Sequence, residues 1–78
     1  MKFYVTYAKC KNLKGDRLHK EFRFYNIDNA YEHAKLLSEC GDIVGNVDTI
    51  DTETGEVLFI YHNGRLFYRS SDVKLSCE

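Results

Sequence analysis

The stretch Asn26–Ala34, NIDNAYEHA, decides the fold, because it reads as one short helix set among strands. Asn26 is placed to cap it, its side-chain oxygen accepting from an orphan amide of the first turn. Asp28 puts negative charge near the positive end of the helix dipole. Ile27, Ala30, Tyr31, Ala34 and Leu37 recur at helical spacing and make an apolar face, with Asp28, Glu32, Lys35 and Glu39 opposite. The small Ala30 and Ala34 let the helix lie close on a sheet. Gly41 predicts an end in the left-handed conformation, and Cys40 a thiol packed near that end.

Outward from the helix the pattern changes to period two. Residues 2–11 alternate, with Phe3, Val5 and Tyr7 on one parity and Tyr4, Thr6, Ala8 and Cys10 on the other. Asn12–Arg17 is a turn with Gly15-Asp16 at its tip. Residues 18–25 predict a second strand with Phe22 and Phe24 towards the core and Arg23 and Tyr25 outward. Beyond the helix, 43–50 predicts a strand with Gly45 as a bulge, and 52–55 a turn. Residues 56–61, EVLFIY, are apolar at both parities and predict a central strand. Asn63-Gly64 is a strong hairpin signal, since a type I′ turn needs positive φ at both central residues. The last strand is 65–69, followed by a flexible tail over about 70–78. The expectation is therefore one α+β domain over 1–78, in β-β-α-β-β-β order, with one helix on one face of a five-stranded antiparallel sheet.

The chain has 78 residues, 44% hydrophobic and 29% charged, with no Pro. A chain this short buries only about 60% of its unfolded surface. No apolar run reaches the roughly 20 residues of a membrane span, and MKFYVTY alternates like a strand rather than a signal peptide. Cys10, Cys40 and Cys77 are odd in number and far apart, which suits reduced thiols in a cytoplasmic protein better than a disulfide framework. Cys77 is expected to be exposed on the tail.

Chemistry is thinly represented. No two Cys or His residues lie four or fewer apart, against the close pairs of zinc sites. No nucleophile motif, Walker loop or glycine-rich dinucleotide fingerprint is present. One helix on one sheet offers little concave pocket. The expectation is a protein with no enzyme activity, no cofactor and no metal.

Net charge is −1, unevenly spread. Residues 1–23 carry Lys2, Lys9, Lys11, Lys14, Arg17, Lys20 and Arg23 against Asp16 and Glu21, a net +5. Residues 39–56 carry Glu39, Asp42, Asp48, Asp51, Glu53 and Glu56 with no Lys or Arg, a net −6. Such a split orients a molecule on a partner. Solvated loops and protected sheet edges also carry charge of this kind. The basic first hairpin, with Tyr4, Tyr25 and Tyr68 as stacking surfaces, suits nucleic acid, whereas a pI near 6.3 is low for a dedicated nucleic-acid domain. The sheet face away from the helix, on the parities of Tyr4, Arg23, Tyr25 and His62, suits a protein partner.

A Met-Lys strand ends at Asn12, and a second strand leads to the helix opening Asn26-Ile27-Asp28-Asn29-Ala30 with Ala34. Cys40 then precedes a glycine-containing meander with Asn63-Gly64-Arg65 before the last aromatic strand. In these features residues 1–69 resemble small phage anti-CRISPR proteins, the ninth-named inhibitor family of type I-F systems. The 43–56 segment is longer and more acidic than in that family. The resemblance implies a non-enzymatic inhibitor that binds backbone subunits of a type I CRISPR surveillance complex in the host bacterial cytoplasm and hinders pairing of target DNA with the guide. It implies two candidate contact strips. The acidic one, Asp42, Asp48, Asp51, Glu53 and Glu56, would meet a basic DNA groove. The basic one, Lys9, Lys11, Lys14, Arg17, Lys20 and Arg23 with Tyr25, would meet an acidic subunit face or DNA beside it. The alternative is a nucleic-acid-binding accessory protein that uses the basic hairpin. No membrane association is expected, and the protein is read as a monomer or a weak homodimer paired through the first or last strand.

Overall fold

The structure, a computed structural model, describes residues 2–76. The order is β1 (Tyr4–Lys11), β2 (Arg17–Phe24), α1 (Ile27–Ser38), β3 (Val47–Asp51), β4 (Val57–His62) and β5 (Arg65–Arg69). The strands form one antiparallel sheet in the order β2-β1-β3-β4-β5. The β1–β2 hairpin and the β3–β4–β5 meander are thus joined along a single seam, β1 against β3. The α+β class and the element order are as the sequence predicts. β1 is interior, so the edges are β2 and β5, and only the last strand of the two expected edges is free to pair.

The core lies between α1 and one sheet face. Ala30 and Ala34 are fully buried against it, as their size predicts. Tyr31 packs edge-on against Phe59, with centroids 5.0 Å apart, and against Tyr61 at 5.5 Å. Phe22 and Phe24 turn towards the helix and flank His33, at 5.2 and 5.1 Å. One row under the helix crosses every strand in register: Phe22, Thr6, Thr49, Phe59 and Arg69. At its centre the buried Thr6 and Thr49 hydroxyls bond each other at 2.7 Å.

Asn26 caps α1 as expected, its Oδ1 accepting from the amides of Asp28 (2.8 Å) and Asn29 (3.3 Å). Gly41 does not end the helix in the left-handed region. Glu39 caps it in a right-handed conformation, its amide donating to the Leu36 carbonyl and the Cys40 amide to the Leu37 carbonyl. Ser38 fixes this end instead: its hydroxyl donates to the Lys35 carbonyl and accepts the Gly64 amide at 2.9 Å. Gly64 is held at φ +77°, and a Cβ there would meet Glu39 Cγ at 2.8 Å. Asn63, at φ +50°, completes the expected turn. Cys40 is exposed rather than packed.

Three further expectations are corrected. The third strand starts at Val47, because 42–44 instead runs beside the end of β1, with the amides of Lys11 and Val44 donating to the carbonyls of Asp42 and Lys9. Register shifts fall at Thr49/Ile50 and Ile60/Tyr61, not at Gly45. The first leaves Leu58 as an extra residue on β4, so that Leu58 and Phe59 are buried consecutively. The bulge buries both parities at Leu58 and Phe59, and β4 lies between β3 and β5, an interior strand as expected. Lastly, 70–76 is no tail. The Ser70 amide donates to the Leu58 carbonyl, Val73 and Leu75 join the core, and the Ser76 amide donates to Asp28 Oδ1 at 2.9 Å. The bonds from the Ser76 hydroxyl and amide hold the Asp28 carboxyl below its usual range. The expectation for Cys77 lies outside the described residues.

Candidate functional site

The strongest concentration of exposed charge is the β1–β2 hairpin. Pairing of Lys9 with His19, Lys11 with Arg17 and Val5 with Arg23 puts Lys9, Lys11, Arg17 and Arg23 on the face away from the helix. Lys20 pairs with Ala8 on the helix-side parity, yet it lies on the edge strand and is exposed. Lys14 stands in the connecting loop. That loop is built around Asn12, whose Oδ1 accepts from the amides of Lys14 and Asp16, both at 2.9 Å. The backbone closes it again through Asn12 N to Asp16 O at 3.0 Å, with Gly15 at φ +87°. An Asx turn of this kind fixes the loop without tertiary packing.

Leu13 sits at this tip, fully exposed, and Lys11, Lys14 and Arg17, close to it along the hairpin, are exposed too. Sequence reading passed over it because a lone apolar residue in a polar turn carries no periodicity. The available signal was the Asn12-x-x-Gly15 frame, which leaves the residue after Asn12 pointing outward. At the other end of β2 the Arg23 guanidinium lies 4.6 Å from the centre of the Phe3 ring, and Phe3 contacts the exposed Tyr25 at 6.2 Å. Tyr4, expected on the exposed face, packs against the core on the helix side. Tyr68 is exposed, and Phe67 stacks on His62 at 5.5 Å.

The acidic residues do not form one strip. Asp51 is 6% exposed and pairs with Lys2 Nζ at 3.0 Å, while its Oδ1 accepts the Glu53 amide at 2.9 Å. Burial pushes the Asp51 carboxyl up, but the Lys2 and amide hydrogen bonds outweigh it and hold it below the usual range. Glu53 lies 3.9 Å from the same Lys2. Glu56 accepts from the Ser70 hydroxyl. Asp42 is exposed beside Lys11. Asp48 faces away from the helix, between Tyr7 and Ile60. Two of the five acidic positions, Asp51 and Glu56, are therefore engaged inside the fold, whereas all six basic positions of the hairpin are exposed.

Among the described residues no three metal-ligating side chains come together, and no helix is long and apolar enough to cross a membrane. No family model, characterised protein or solved structure matches this chain.

Proposed function

We propose that the protein is a non-enzymatic inhibitor that docks its β1–β2 hairpin on a host type I CRISPR surveillance complex and hinders target-DNA recognition. The partner class comes from the resemblance to the type I-F inhibitors. The observation that carries the docking surface is the hydrogen-bonded tip, where Leu13 is fully exposed and Lys11, Lys14 and Arg17 close to it in the hairpin are exposed too. An apolar anchor within a polar rim is the arrangement of an interface hot spot. The exposed basic residues of the hairpin speed encounter with an acidic subunit face and suppress wrong partners. The acidic residues suit this role less well, since Asp51 and Glu56 already hold turns of the fold together. Co-purification with an assembled type I-F complex, with DNA binding by that complex read alongside, tests the proposal.

The same exposed lysines and arginines, beside Tyr7 and Tyr25, favour a second reading as a nucleic-acid-binding accessory protein. It requires direct binding of the isolated protein to DNA or RNA that weakens steeply with salt. A protein-docking surface shows no such binding.

A further inference from the structure

β2 is the open edge of the sheet. All eight of its residues, Arg17–Phe24, pair with β1 without a register shift. At about 3.4 Å per residue this makes an unbroken edge roughly 27 Å long. Among the described residues, 17–24 make no backbone hydrogen bond beyond that pairing, so the outward N–H and C=O groups of β2 are open. An exposed row of such groups is a template for another strand. The opposite edge, β5, is a poorer one. It has five residues, its pairing with β4 shifts register at Ile60/Tyr61, and the segment after it folds back, with the Arg69 guanidinium donating to the Val73 carbonyl at 3.1 Å.

The side chains of β2 select the kind of strand that fits. On the face away from the helix stand Arg17, His19, Glu21 and Arg23, with Lys9 and Lys11 on the neighbouring β1. On the helix side stand Leu18, Lys20, Phe22 and Phe24, and Leu18 is 44% exposed. One parity is thus mainly basic and the other mainly apolar. Residues directly opposite across two strands share a face, where opposite charges attract and like charges repel. Edge charge therefore blocks strands of its own sign and favours strands of the other. A second copy is disfavoured: Arg17, Lys20 and Arg23 against Glu21 give β2 a net +2, which self-pairing sets against itself. We infer that β2 takes up, as a sixth strand of the sheet, an extended segment of a protein partner in which acidic and apolar residues alternate. Main-chain hydrogen bonds hold such a strand, and its alternate side chains give the specificity. The acidic residues lie beside Arg17 and Arg23, and the apolar ones beside Leu18, Phe22 and Phe24. That the segment belongs to a subunit of the surveillance complex rests on the proposed function; the form of the edge does not.

The test titrates the isolated protein with an end-blocked eight-residue peptide of alternating valine and glutamate, and follows backbone amide shifts and hydrogen exchange by NMR. The expected result is saturable shifts along β2, with slower exchange of its outward amides and no protection gained along β5. A proline at the centre of the peptide removes a main-chain donor and weakens binding at least about tenfold. The variant Arg17→Glu/Arg23→Glu turns two attractive cross-strand pairs into repulsive ones and also weakens it about tenfold. That variant prefers a valine–lysine peptide, which the wild type binds more weakly than the glutamate one. No saturation, equal binding of the proline peptide, binding undiminished in the variant, stronger binding of the lysine peptide or of oligothymidylate to wild-type β2, or self-association through β2 overturns the inference. Peptide binding as expected, without association of the protein to a surveillance complex, keeps the strand addition and removes the complex as its source. Association with the complex while the peptide fails to bind keeps the proposed function and overturns the strand addition.

Discussion

Replacing Thr6 by Val should destabilise the protein, and replacing Thr49 by Val as well should restore it. Both residues are 0% exposed, and their hydroxyls bond each other at 2.7 Å across the β1–β3 seam. Valine keeps the shape and replaces the hydroxyl by a methyl group. In either single variant the surviving hydroxyl is buried without a partner, at a cost of about 1–3 kcal/mol, partly offset by the new methyl group. We expect about 1.5 kcal/mol for each single variant, which at this chain length lowers Tm by roughly 5–12 °C. In the double variant neither hydroxyl remains and two methyl groups pack where the pair stood, so its stability should fall within about 1 kcal/mol of the wild type. The coupling is then about 2–3 kcal/mol and opposes the sum of the singles. Urea unfolding with linear extrapolation measures all four proteins, and unchanged m-values show that the cycle compares like states. A double variant as unstable as the two singles combined would refute the reasoning.

Leu75→Ala should cost about 2 kcal/mol, because Leu75 completes the core; in a true tail it would be neutral, and thermal unfolding separates the two. Gly64→Ala should cost about 1–2 kcal/mol from the positive φ and the contact with Glu39, and should shift the unfolding midpoint without changing the fold seen by circular dichroism. Asp51 has its carboxyl held low, so its contribution is present above the usual aspartate value of 3.8 and is lost as pH falls through its folded value. Lys2→Met should therefore be less stable than wild type at neutral pH, with the gap closing in acid below that value. Asp48, pushed up, has the opposite sign: its contribution is present at low pH and lost as pH rises through its folded value. Asp48→Asn should thus gain on the wild type as pH rises towards neutrality, in the same unfolding series.

Much of the fold is legible because local signals agree with one another. The Asn26 cap, the Ala30/Ala34 spacing, the Phe22/Phe24 parity and the Asn63-Gly64 turn each depend on residues a few positions apart. What was missed depends on distant partners. EVLFIY reads as a strand covered on both faces, but its double burial comes from a bulge set by β3. Gly41 reads as a helix stop, while Ser38 holds the helix end through the Gly64 amide, 26 positions away. Val73-x-Leu75 is too short and too flanked by polar residues to signal burial, yet the Asp28–Ser76 contact holds it in place.

The candidate site divides in the same way. The basic hairpin is visible as a run of charge, and its strand register follows from alternation. The acidic segment looks like a second strip only because sequence cannot show that Asp51 meets Lys2 or that Glu56 meets Ser70. Leu13 was hidden for the same reason: exposure is a property of the assembled surface.

The central claim is tested most directly by the affinity of the protein for an assembled type I-F surveillance complex, measured for the wild type, Leu13→Ala and the charge reversal Lys11→Glu/Arg17→Glu. The account predicts stable, stoichiometric association that alters target-DNA binding. It predicts about tenfold or greater weakening in each variant, in keeping with a hot spot above 1 kcal/mol, with thermal stability close to wild type. No association of the wild type, or association that both variants retain in full, would contradict it.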